Sequence, residues 1–417
     1  MRDASCGRIL RNSHFASHPK AHFTQQKVNA MPLDITAIRR DAPATLAQAY
    51  LNAGTNGPLS RYAAEAIAAA NEDQLRAGRI GPGVYEKALA ISTELRSSFA
   101  RLLGASDEDI ALTHHTTDGM NIAVWGQNYQ AGDEIVTTSL EHPGGLVPVL
   151  VAAKRFGVTV RVVPVEITDD GPTTAEKVIA AITPRTRLVA VSHVSWKSGV
   201  VLPLAPIAER VHAVGGLLAV DAAQSAGAIP VDLRALDVDY YACPGQKWLC
   251  GPDGVGALYV RQERVMDTQQ TFAGGPALRD GAAHDSAGNY LPGTTARRFE
   301  VATVYKPTIA GMLASLQWLE GLGFAEIYER IQALTALCRE RLSALPGVTV
   351  YTPASQAGLT SFNISGVDAV QASARLGEMG VLIRSVSNPD LLRASTSFYN
   401  DESDVERLVQ GVRGVSK

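Results

Sequence analysis

Residues 216–227 read GLLAVDAAQSAG, an apolar run that ends in Asp221 and passes at once into a turn of small residues that holds Gln224. A short apolar segment without alternation reads as a strand buried on both faces, the kind found in parallel sheets covered by helices. Six similar runs flank it. DIALTHH, DEIVTTS, VTVRVVPV and RLVAVSHV come before it, VDYYACP and VGALYV after it. Apolar residues at helical spacing fill most of the gaps, as in RYAAEAIAAANEDQL, EKALAISTELRSSFARLLG, GLVPVLVAAKRFG and PIAERVHAVGG. Strand alternating with helix predicts an α/β architecture with a mostly parallel sheet covered by helices, its ligand at the carboxyl ends of the strands.

The large α/β domain is expected over residues 61–305. Beyond it a long helical stretch broken by glycine gives way to VTVYTP, TSFNISG, DAVQASARLGEMG, VLIRS, LLRAST and DESDVERLVQGV. This predicts a smaller α+β domain over 306–417, with residues 31–60 as an N-terminal segment associated with it. Residues 1–30 lack the apolar core of a secretory signal and read as a disordered tail, or as an over-extended start ahead of Met31.

Composition narrows the function. A chain of 417 residues with 46% hydrophobic and 19% charged residues can build a sizeable core, and a formal charge of -3 without a basic run argues against nucleic acid or an anionic membrane as a partner. No stretch approaches the ~20 apolar residues of a membrane helix. Four scattered cysteines, Cys6, Cys243, Cys250 and Cys338, form neither a disulfide framework nor a zinc knuckle. A reducing compartment, the cytoplasm, is expected, and no metal site.

The chemistry-bearing residues fall at strand ends. Asp221 closes one strand and brings Gln224 with it; a buried carboxylate there wants a cationic partner, or else caps a helix. ALTHH leads into Thr116 and Thr117 at a helix start, either an anion cradle or an ordinary N-cap. EIVTTSLEH delivers His142, a satisfied polar residue or a catalytic one. The loop PGQKWLCGPDGVG carries Lys247 with Gln246 and Trp248 beside it, a surface lysine or an amine whose pKa is depressed enough to attack an aldehyde. The combination decides: an imine-forming lysine, an acid for a pyridinium nitrogen, a ring to stack and a phosphate cradle are the parts that pyridoxal 5'-phosphate (PLP) requires. The glycines of GPDGVG precede a strand and do not follow GxGxxG, so a dinucleotide fingerprint is excluded.

In this order the motifs resemble the class V aminotransferase family of PLP enzymes, which includes cysteine desulfurases, cysteine C-S lyases, isopenicillin N epimerase-like proteins and kynureninases. The resemblance runs from Leu51 to the end: TTDGMN, SLEHPGG, DAAQSAG, PGQKWLCGPDGVGALYV, RRFEVAT and LLRASTSFYNDESDVERL each match a family motif. It implies a fold-type I PLP enzyme. Lys247 would hold the cofactor covalently and move the α-proton, His142 would stack on the ring, Asp221 would pair with the ring nitrogen and Gln224 with the phenolic oxygen. Thr116, Thr117 and Gln246 would hold the phosphate, Thr303 would reach that of a partner subunit, and a homodimer with shared active sites follows. Arg393 would pair with the substrate carboxylate, and Trp196 and Asn56 would line the substrate side.

Three departures bear on the reaction. Pro244 and Gln246 stand where the family has the serine and histidine of SGHK, and Trp196 in HVSWKSG stands where desulfurases carry asparagine. Residues 381–392, VLIRSVSNPDLL, contain no cysteine to carry a persulfide. The expected activity is therefore β-elimination through an external aldimine by a C-S lyase acting on cysteine, cystine or an S-substituted cysteine. An aminotransferase or epimerase is the alternative, ahead of a desulfurase or a non-catalytic scaffold.

Overall fold

The computed structural model describes residues 33–279, 284–354 and 357–416, so the expectation for residues 1–30 lies outside the described residues. The strands are β1 (Ala49–Tyr50), β2 (Ile110–Thr113), β3 (Glu134–Thr138), β4 (Thr159–Val163), β5 (Thr186–Ser192), β6 (Leu217–Asp221), β7 (Tyr240–Pro244), β8 (Gly256–Val260), β9 (Val348–Val350), β10 (Leu359–Ile364), β11 (Val381–Leu382), β12 (Arg384–Val386) and β13 (Leu391–Ser395). All seven runs read as strands between residues 109 and 260 form strands of one sheet, in the order β2-β8-β7-β6-β5-β3-β4.

Within that sheet β3 to β7 pair in parallel, and β8 runs antiparallel to both of its neighbours. Its reversal brings the loop between β7 and β8, which carries Lys247, to the carboxyl ends of the other strands. Alternate residues feed two cores, as the pleat demands: Val189, Val191, Leu218 and Val220 face one, Leu188, Ala190 and Ala219 the other. β4 is the exception, with three of its five residues exposed, because it closes one edge of the sheet.

The second sheet, β12-β13-β10-β9, is antiparallel and shares a separate core with helices Phe324–Ser343, Ala369–Glu378 and Glu402–Val415. The glycine-broken helical stretch is two helices, Lys306–Leu322 and Phe324–Ser343, parted at Gly323 with φ 90°. VLIRS, read as one strand, is divided. Val381 and Leu382 pair in parallel with Ala49 and Tyr50, whereas Arg384 to Val386 turn to pair with β13. The N-terminal segment is tied down further by Arg39 Nη1, which meets Asp401 Oδ2 at 2.7 Å and Asp404 Oδ2 at 3.0 Å.

Candidate active site

Each candidate side chain is placed by the element before it. β6 ends in buried Asp221, whose Oδ1 accepts from Ala223 N at 2.9 Å. Burial raises its pKa above the usual carboxylate range, against the Ala223 hydrogen bond and the positive charge of Lys247. Three residues on, the amide orientation of Gln224 is fixed by chemistry: its Oε1 accepts from Trp248 Nε1, a pure donor, at 3.0 Å, and its Nε2 donates to Gly54 O at 2.8 Å. Trp248 is thus a positioning residue for Gln224, a role hidden in sequence because the indole is 24 residues away.

Lys247 follows β7 in a half-buried position. Desolvation brings its ammonium down to about 8; Asp221 opposes this shift, and Arg393 and Arg384 add to it. A nearby cation wall therefore helps to make the amine a base near neutral pH.

His142 caps helix Pro143–Phe156, and its Nδ1 accepts from Gly144 N at 3.0 Å. Desolvation first, then Lys247, Arg384 and Arg393, push the imidazole down to about 4, so the ring is neutral. It meets the Trp196 indole edge to face, centroids 5.0 Å apart. The preceding residue, Glu141, is buried and accepts from Thr138 Oγ1 at 2.6 Å and Ser192 Oγ at 2.5 Å. Its pKa rises to about 7, mainly through burial and also through the charge of Asp221.

The N-terminus of helix Thr116–Trp125 adjoins β2. Thr116 is buried, with an Oγ1 that has no hydrogen-bond partner among the described residues, and Gln246 Oε1 and Trp196 Nε1 are buried and unpartnered in the same sense. Thr117 faces helix Pro143–Phe156 closely enough that a Cβ on Gly144 would stand 2.6 Å from Thr117 Oγ1. Arg393 is 1% exposed; its Nη1 donates to Trp196 O at 2.8 Å and its Nη2 to Thr55 Oγ1 at 3.2 Å. No carboxylate pairs with it among the described residues. Burial, with help from Arg384 directly opposite on β12, brings its pKa down to about 9.

Charge, hydrogen bonds and ring contacts thus bring together His142, Trp196, Asp221, Gln224, Lys247 and Arg393. Asn56 is exposed, and only its backbone enters the described hydrogen bonds; its neighbour Thr55 is the residue that reaches Arg393. Thr303 is exposed, with φ 61°, a strained conformation for a β-branched residue. Thr55, Glu141 and Arg384 went unmarked in the sequence, where nothing but the register of two strands pairs Arg384 with Arg393. Pro244 ends β7 opposite Gly256, so the place of the family serine is filled by a residue with no hydroxyl.

The residues fit PLP. A half-buried, desolvated amine lies within electrostatic reach of a buried acid, a neutral imidazole is available for stacking, and an orphaned hydroxyl sits at a helix N-terminus where backbone N–H groups favour a phosphate.

The family model for aminotransferase class-V matches residues 74–408. The cysteine desulfurase of Klebsiella pneumoniae (strain 342) is 31% identical over 419 residues, covering 93% of this chain and 99% of that protein. Among solved structures, the cystine C-S lyase C-DES in complex with its reaction product cysteine persulfide superposes with a TM-score of 0.85 at 33% identity, covering 90% of this chain and 100% of that one. Another form of C-DES carries glycine covalently linked to its PLP cofactor. The cysteine desulfurase CsdA of Escherichia coli gives a TM-score of 0.81 at 26% identity over 92% of this chain and 98% of its own. With the family motifs set on this fold and around this site, the chain belongs to the class V aminotransferase family and is a PLP-dependent enzyme.

Proposed function

We propose that the enzyme is a C-S lyase that eliminates the β-substituent of cysteine, cystine or an S-substituted cysteine. The observation that carries this reading is the hairpin of β12 and β13. Where a desulfurase needs a mobile cysteine, residues 381–392 have none, and two arginines, Arg384 and Arg393, stand opposite each other across the strands. Like charges directly opposite are destabilising unless an anion joins them. Cystine brings two carboxylates, one for each guanidinium, and C-DES, similar over nine-tenths of this chain, is a cystine C-S lyase.

When bound, PLP supplies an aldehyde for covalent capture of the amino group and a sink for the electrons of the Cα–H bond. Lys247 removes the α-proton; its depressed pKa suits a base at neutral pH. Asp221, poised on β6, would hold a proton on the ring nitrogen, and Gln224, with one N–H given to Gly54 O, would have its other N–H for the phenolic oxygen. His142 stacks as a neutral ring. Thr116, Thr117 and Gln246 would hold the phosphate, and Thr303 would reach that of a partner subunit in a homodimer. Arg393 takes the substrate α-carboxylate, and Trp196 and Asn56 line the substrate side. The sulfur leaves Cβ with the bonding pair, as a thiolate or persulfide. No further side chain is needed.

Residues 61–305 form the cofactor-binding domain in this reading, and 306–417 the small domain with 31–60 against it. The three described cysteines are free and buried, which suits the cytoplasm. The test is direct. Purified enzyme given L-cystine should release pyruvate, ammonia and cysteine persulfide in equal amounts. Alanine formed from L-cysteine in place of pyruvate would identify a desulfurase, and neither product from L-cystine, L-cysteine or S-methyl-L-cysteine would overturn the proposal.

A further inference from the structure

Residues 52–57, AsnAlaGlyThrAsnGly, form a strap that touches three functional residues with three different groups. Gly54 O accepts from Gln224 Nε2 at 2.8 Å, Gly57 N donates to Gln246 O at 2.8 Å, and Thr55 Oγ1 accepts from Arg393 Nη2 at 3.2 Å. The last contact is of another kind. It reaches a buried guanidinium whose described partners are the hydroxyl of Thr55 and the carbonyl of Trp196, both uncharged, and whose Nε has no partner among the described residues.

We infer that Thr55, oriented by Asn52, is a positioning residue that fixes the guanidinium of Arg393 to receive the carboxylate of the substrate. The inference rests on the reading of Arg393 as the carboxylate site. A neutral acceptor is what such a site requires. It holds the planar fork in one rotation and leaves its charge for the ligand, whereas an acid at the same place would compete with the ligand. The direction of the hydrogen bonds agrees: Thr55 Oγ1 donates its proton to Asn52 Oδ1 at 2.7 Å, so an oxygen lone pair is left to face Arg393.

The strap is held in register with the strand that carries the arginine. Asn52 bridges Ser395, two residues beyond Arg393, and Ser395 N donates to Leu51 O at 2.7 Å. Gly54 permits the approach, since a Cβ there would lie 2.8 Å from Ser395 Oγ and 3.1 Å from Arg393 Nη2. The strap and the strand thus fix the distance from Thr55 to Arg393, and loss of the hydroxyl leaves the guanidinium with the carbonyl of Trp196 as its one described partner.

The experiment uses PLP-loaded enzyme and L-alanine, which carries the carboxylate but no β-leaving group, so the outcome does not depend on elimination. Its dissociation constant, read from the shift in melting temperature, should weaken about tenfold in Thr55→Val, the scale of one hydrogen bond to a charged group. Thr55→Ser should restore it to within twofold, and ethylamine, which lacks the carboxylate, should bind all three proteins alike. A Thr55→Val enzyme that binds L-alanine as the parent does would overturn the inference, and so would equal weakening for ethylamine, which marks a general structural role. Arg393→Met separates the two ideas: if it leaves L-alanine binding unchanged, the carboxylate reading of Arg393 itself is wrong. If Arg393→Met weakens binding and Thr55→Val does not, only the role of Thr55 falls.

Discussion

The strand ends of the large sheet and the hairpin of the small one treat buried charge in opposite ways. At the strand ends, Glu141 and Asp221 are acids surrounded by hydroxyls and a backbone N–H, and burial raises the pKa of each. On the hairpin, Arg384 and Arg393 are cations, and Arg393 is met by uncharged oxygens alone among the described residues. Neither region neutralises itself. The acid floor is suited to a cationic ring and the basic wall to an anionic substrate, and Lys247 feels both. Asp221 raises its pKa, the arginines lower it, and desolvation outweighs each, which leaves it at about 8.

Removal of the group between the two regions should have the largest effect. Lys247→Ala should lower turnover about 10⁴-fold or more, the upper range for loss of a positioned acid-base group, because the amine beside Asp221 that takes the α-proton is removed. The cofactor-loaded variant should keep its melting temperature within a few degrees. Turnover within tenfold of the parent would show that the base is elsewhere.

A smaller effect tests the wall. Arg384→Ala should lower kcat/KM for L-cystine about tenfold while sparing S-methyl-L-cysteine, which has a single carboxylate. It should also shift the acid limb of the pH-rate profile to higher pH for both substrates. The sign follows from its charge: Arg384 depresses the pKa of Lys247, so its removal lets the amine hold its proton to higher pH. Equal losses on the two substrates would deny Arg384 a carboxylate of its own.

The two regions were also unequally legible in sequence. The acid floor hangs on strands whose apolar runs announce themselves, so Asp221, His142 and Lys247 could be placed at one edge from order alone. The wall depends on register between short strands and on a bend at Ile383 that divides VLIRS between two sheets, and neither has a local signal. Hence Arg393 was found through its motif and Arg384 was missed. Asn56 was named from this strap and Thr55 was not; the strap is set in register by the bridge from Asn52 to Ser395, a contact across 343 positions of chain. Glu141 was hidden beside His142, since its hydroxyl partner Ser192 comes from another strand.

That carboxyl gives the smallest effect and the finest test of the floor. Glu141 titrates near 7 in the folded chain, against about 4.3 when unfolded. With its folded pKa raised, the folded state holds the proton that the unfolded state releases, so its contribution to stability falls as pH rises from about 4.5 to about 7 and levels off above. The integrated difference is about 4 kcal/mol. Glu141→Gln keeps the shape and an acceptor for one hydroxyl while removing the titration of this carboxyl and its coupling to Asp221. Melting temperatures measured from pH 5 to pH 8 should therefore diverge, with the parent losing stability relative to Glu141→Gln as pH rises and the gap constant above about pH 7.5. Parallel curves would mean that Thr138 and Ser192 suffice to keep Glu141 ionised throughout.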